Sequence, residues 1–134
     1  MKKIVFALLA VVVLVSCGGA SSQEKNEVRE LLTNTFKEVD EELSGEVIDE
    51  ATICDSVRFK KDRIYYYYST KEALIPVSQI KEEKATRKAN IKKMLESTPD
   101  MAFLINMLIK IDGGINYVYV GDTTGDVCEI KVDF

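Results

Sequence analysis

The stretch Val57-Arg58-Phe59-Lys60-Lys61-Asp62-Arg63-Ile64-Tyr65-Tyr66-Tyr67-Tyr68 decides the fold. Aromatic and β-branched residues dominate both of its ends, and a charged step separates them. Such runs read as two strands joined by a turn. With Lys61 and Asp62 as a two-residue loop, Phe59 faces Ile64, Val57 faces Tyr66 and Asp55 faces Tyr68. Alternation then puts Val57, Phe59, Ile64, Tyr66 and Tyr68 on one side, and Cys54, Ser56, Arg58, Tyr65 and Tyr67 on the other. The two strands are expected over about 47–59 and 63–69.

Helical patterns flank this hairpin. Val28, Leu31, Leu32, Thr35, Phe36, Val39 and Leu43 recur at three- and four-residue steps, which predicts a helix over 23–43. Ser21 and Glu24 have capping-box spacing before it, and Gly45 is a stop after it. A second helix is expected from about 76 to 96, rich in Lys and Arg. Thr98-Pro99-Asp100 reads as the cap and first turn of a third, short helix to about Ile109. That helix is apolar nearly all round, the mark of a buried one. A second hairpin follows, 115–120 and 127–134, around Gly121 to Asp126. The order helix, hairpin, helix, helix, hairpin predicts an α+β fold in two layers: a four-stranded antiparallel sheet with its helices packed on one face. Val57, Phe59, Ile64, Tyr66, Tyr117, Tyr119, Ile130 and Val132 mark the covered face.

The N-terminus reads differently. Lys2 and Lys3 precede an apolar run from Ile4 to Val15. It is too short to span a bilayer, which takes about 20 residues, and fits a secretory signal. The run ends in Leu14-Val15-Ser16-Cys17, which resembles the lipobox of bacterial lipoproteins. That resemblance implies cleavage before Cys17 and lipidation of its thiol, which makes residues 1–16 a signal peptide. The competing reading is a secreted protein cut after Ala20. Residues 17–22 would be the lipidated cysteine and a flexible tether, reaching about 20 Å at most, and 23–134 a single globular domain. Two or more acyl chains give stable membrane attachment where one does not. In the double-membrane lipoproteins this resembles, Gly18 in place of an Asp implies the outer membrane.

Composition narrows the chemistry. Without Lys2 and Lys3 the chain has 16 basic and 22 acidic residues, a net charge of −6. No dominant basic surface is available for nucleic acid. There is no histidine, which removes the usual general base and zinc ligand; no metal or other cofactor is expected. Cys54 and Cys128 are candidates for a disulfide in an oxidising compartment, although strand alternation puts them on opposite faces unless a bulge reverses the parity. Asp49, Glu50 and Asp55, and the Asp122 to Asp126 loop, are candidate acid pairs or cation ligands, with plain solvation as the simpler reading. The acidic first helix and basic second helix are expected to lie side by side.

The C-terminal part, residues 55–134, resembles small bacterial lipoproteins of unassigned function. The residues that carry this are Asp62-x-Ile64-x-Tyr66-x-Tyr68, Tyr117-x-Tyr119 and the Asp122 to Gly125 turn. It implies the fold and no activity. The expected function is therefore a lipid-anchored envelope protein without catalysis, a binding or accessory domain for a protein, peptide or glycan. Tyr65, Tyr67, Val118, Val120 and Val127 form the candidate binding face. Two alternatives are an inhibitor or immunity-type protein and, less simply, a carboxylate-based enzyme.

Overall fold

A computed structural model describes residues 21–134; the Cys17 reading and the signal segment lie outside the described residues. Helix α1 (Ser22–Leu43) begins where the capping box placed it, with the Glu24 amide donating to Ser21 Oγ. Three strands follow, β1 (Val47–Asp49), β2 (Thr52–Lys60) and β3 (Arg63–Thr70). Helices α2 (Val77–Glu82), α3 (Lys84–Ser97) and α4 (Ala102–Lys110) come next, with a 3₁₀ turn over Pro99–Met101 before α4. Strands β4 (Gly114–Gly121) and β5 (Val127–Asp133) close the chain.

The architecture is α+β, but the sheet has five strands and is mixed. Its order is β1-β2-β3-β4-β5, with β3 and β4 parallel and every other pair antiparallel. The four-stranded antiparallel expectation is corrected on both counts. A turn at Glu50 and Ala51 splits the expected first strand into β1 and β2. The parallel pair follows from the connection between the hairpins. Parallel neighbours need a crossover of a dozen or more residues, and residues 71–113 supply one. Helix α3, about 21 Å long at 1.5 Å per residue, carries the chain back along a strand of about 26 Å. The expected second helix breaks at Glu83 into α2 and α3. Helix α4 is one-sided rather than buried all round: Leu104, Met107 and Leu108 are buried while Ile109 is exposed.

The first hairpin keeps its expected register near the turn, Phe59 opposite Ile64 and Val57 opposite Tyr66. Lys61 and Asp62 both take positive φ, 52° and 64°, as a tight two-residue hairpin turn requires. Arg29 on α1 grips the Asp62 carboxylate with two hydrogen bonds, of 2.8 and 3.1 Å. Farther along, a bulge between Cys54 and Ser56 shifts the pairing so that Cys54, not Asp55, faces Tyr68. The bulge reverses parity and puts Cys54 on the same face as Cys128.

That face is the core. Each described α-helix puts its buried side chains into one cluster with Cys54, Val57, Ile64, Ile115, Cys128, Ile130 and Val132. Among the described residues the cluster begins at Val28. Helix α1 packs on β2, whereas α3 packs on β5. The acidic and basic helices therefore sit over opposite halves of the same sheet face, α1 toward β2 and α3 toward β5, rather than side by side as expected.

Where β1 stops, α1 protects the edge of β2. The Val57 amide donates to Asp40 Oδ1 at 2.8 Å, and Arg58 pairs with Asp40 Oδ2 at 2.5 Å. Burial pushes the Asp40 carboxyl up, but the Val57 amide and Arg58 outweigh it and hold it below the usual range. Replacing Asp40 with Ala leaves the Val57 donor unpaired, so urea unfolding at pH 7 should show a loss of about 1–3 kcal/mol. Because the folded pKa is depressed, the Asp40 contribution is present above about pH 4 and fades as pH falls through the folded value. The difference between wild type and Asp40→Ala should shrink accordingly in acid.

Candidate functional site

The sheet face opposite the helices carries the candidate binding residues. Reading the register across all five strands, Val47, Ile53, Ser69, Val120 and Val127 stand in one row. Ser56, Tyr67, Val118 and Glu129 form the next, and Arg58, Tyr65, Asn116 and Lys131 the one after. Val47 and Val127 are 65% and 52% exposed. Val118 is buried yet stands outside the core cluster, enclosed by its own row. None of the described helices covers this face. Sequence alternation therefore brought Tyr65, Tyr67, Val118, Val120 and Val127 together as expected. It missed Val47 and Ile53, because only the β1 turn and the bulge align them with Val120.

The two outer tyrosines are engaged with one another and with Lys60. Tyr65 and Tyr67 stack with centroids 6.1 Å apart. The Lys60 ammonium lies over both, 4.8 Å and 5.4 Å from the two centroids. At the far end of the face, Arg63 donates to Asn116, Asp133 and the Val132 carbonyl. This ties β3, β4 and β5 together and makes that end polar.

The core face has a second feature. Tyr66, Tyr68, Tyr117 and Tyr119 stand side by side with centroids 5.2–6.2 Å apart. They fill the middle of the sheet between α1 and α3. Over their open end, between β1 and the α2–α3 pair, lies a cleft of about 150 Å³. Ile48 and Asp49 border it on one side; Ile80, Arg87, Ile91 and Met94 border it on the other. Tyr68, Tyr117, Tyr119 and Thr70 line its floor. Thr70 is only 1% exposed, and its Oγ1 has no hydrogen-bond partner. Burial pushes the Tyr66 hydroxyl up to about 12. Burial likewise raises Tyr68, Tyr117 and Tyr119, with neighbouring tyrosines adding to the effect at the first two. Sequence reading treated these tyrosines as core and Arg87 as one of many helix cations; only the parallel pairing reveals the cleft.

The remaining candidates resolve individually. Cys54 and Cys128 are free and buried. They occupy the two ends of one row, Cys54–Tyr68–Tyr119–Cys128. Three strand spacings of about 4.8 Å exceed the 4.4–6.8 Å Cα separation of a disulfide, so the proposed intrachain bridge is corrected. Burial raises the Cys54 thiol pKa, the wrong direction for a nucleophile. Asp49 accepts the Ala51 amide, whereas Asp55 accepts the Ser69 hydroxyl on the other face. Those two acids form no pair. The Asp122 to Asp126 turn receives a carboxylate from within the chain. The Thr123 and Thr124 amides and the Thr124 hydroxyl all donate to Glu72. A Cβ at Gly121 would overlap that carboxylate. No group of three or more His, Cys, Asp or Glu among the described residues is placed to hold a metal ion.

Comparison with known proteins adds the fold alone. No protein-family model matches the chain, and no curated protein matches it. Among solved structures, the chain resembles the crystal structure of a "putative secreted protein" from Pseudomonas aeruginosa. The TM-score is 0.61 at 13% identity, over 86% of this chain and 96% of that one. The likeness supports the α+β topology as a recurring architecture.

The aromatic floor makes a measurable prediction. At about pH 10, where an ordinary tyrosine is half ionised, Tyr66, Tyr68, Tyr117 and Tyr119 should stay predominantly protonated in a spectrophotometric titration of the folded domain. Their raised values mean the native state holds these protons more tightly than the unfolded chain. Stability is thus full below about pH 10 and falls as pH rises from there toward the folded values.

Proposed function

We propose that this chain is a lipid-anchored cell-envelope binding protein, held at the membrane by Cys17, that docks a protein partner on the uncovered sheet face. The observation that carries the reading is the row Val47–Ile53–Ser69–Val120–Val127, apolar at every position but Ser69. Five strands at about 4.8 Å make that row roughly 19 Å wide, the scale of one side of a standard interface. An exposed apolar strip with a polar border is the ordinary anatomy of a docking patch. A protein surface suits it better than a glycan. Sugars stack on free aromatic faces, and here Tyr65 and Tyr67 stack on each other beneath Lys60.

The anchor rests on the Leu14 to Cys17 motif. Among the described residues no helix is long and apolar enough to cross a membrane, so attachment in this reading depends on Cys17. The outer membrane is the favoured location by the Gly18 argument. The reading assigns the protein no catalytic role. Asp49 and Asp55 are engaged on opposite faces, and the histidine-based mechanisms are unavailable to it. An inhibitor of an envelope enzyme would be one form of the partnership, its target seated on the same strip.

Two measurements test the two parts. A photo-crosslinking amino acid at Val120 should give a discrete adduct with an envelope protein in cells, and the same group at Glu38 on α1 should not. Equal adducts from both positions, or none from Val120, would contradict the docking face. An adduct of twice the chain mass would identify a second copy as the partner. Separately, Cys17→Ala should move the protein from the membrane to the soluble fraction; retention on membranes contradicts the lipid anchor.

A further inference from the structure

We propose that the cleft on the core face, floored by Tyr68, Tyr117 and Tyr119, binds a small uncharged aromatic molecule bearing one hydroxyl. It is distinct from the outer face and stands on separate observations. The first is size. A cleft of about 150 Å³ matches an apolar cavity volume that accepts a benzene-sized molecule.

The second is the surface. The floor is tyrosine, and the far wall is Ile80, Ile91 and Met94. Thioethers and branched aliphatics pack well against an aromatic ring. Met94 is 55% exposed, a flexible side chain at the mouth that can move aside without disturbing the core.

The third is the polar inventory. Thr70 Oγ1 is buried and has no partner, a state that buried hydroxyls rarely keep. One hydroxyl on a ligand satisfies it, as donor or acceptor. The two charged groups at the rim already have partners. Arg87 donates twice to Glu83 Oε1, at 3.1 and 3.0 Å, and Asp49 accepts the Ala51 amide at 2.8 Å. They carry opposite signs and leave no uncompensated charge for an ionic ligand, whose desolvation would oppose entry.

Phenol is the simplest probe, and toluene is its match in shape without the hydroxyl. In a ¹H–¹⁵N NMR titration of the protein, phenol should shift the amides of Thr70, Ile91 and Tyr119 saturably. It should bind about tenfold more tightly than toluene, the ratio expected for one satisfied buried hydrogen bond. Thr70→Val should remove that preference while leaving toluene binding in place, and Thr70→Ser, which keeps the hydroxyl, should retain it. Absence of saturable shifts at these residues overturns the proposal, and so does a preference for phenol that survives Thr70→Val.

Discussion

The parallel pairing of β3 with β4, running from Arg63 opposite Gly114 to Thr70 opposite Gly121, is the constraint on which the rest of the structure depends. Parallel neighbours must be joined across a face, and the crossover places α2, α3 and α4 on the same face as α1. One side of the sheet thereby becomes the core, and the other is left to its own side chains. The same pairing sets the tyrosines of β3 beside those of β4. Tyr66 stacks on Tyr117 at 5.3 Å, and Tyr68 meets Tyr119 at 5.2 Å. Because α1 packs on β2 and α3 on β5, these rings fill the space between them, and the cleft opens at one end of that aromatic block.

Acidic side chains complete the backbone at the irregular points. Asp40 accepts the β2 amide that β1 is too short to reach, and Asp62 is clamped by Arg29 at the hairpin tip. Glu72 fills the β4–β5 turn, while Asp122 returns a bond by accepting the Glu72 amide. Asp40, Glu72 and Asp122 accept backbone amides that lack a strand partner, and Asp62 ties the hairpin tip to α1; none of them forms a catalytic pair. Several of the chain's acids are thus structural acceptors, a role invisible in net charge.

Short-range rules read much of this chain correctly. The Ser21 cap, the Lys61–Asp62 turn and the second hairpin all follow from local spacing, and the inner and outer faces of β3, β4 and β5 come with them. Two features escaped because they are non-local. Antiparallel pairing of the two hairpins is the simplest expectation, yet the long helical connection between Thr70 and Gly114 already permits a parallel return. The bulge at Asp55 has no local sequence signal, and it alone moves Cys54 to the core face and brings Ile53 into line with Val120. The candidate outer face was legible for its β3, β4 and β5 members only. The cleft was not legible at all, since Thr70 and Arg87 line it together only once the crossover folds back over the sheet.

An exposed apolar row on an otherwise acidic domain costs solubility, and in the proposed reading a partner covers it. Hydroxyl-radical footprinting measures this directly, comparing the isolated domain with the protein in intact cell envelopes. Strong protection of Tyr67, Val120 and Val127 in the envelope, with the partly exposed α1 positions Leu31 and Leu43 unchanged between the two samples, is the predicted result. Equal oxidation of Tyr67, Val120 and Val127 in both samples would contradict the account.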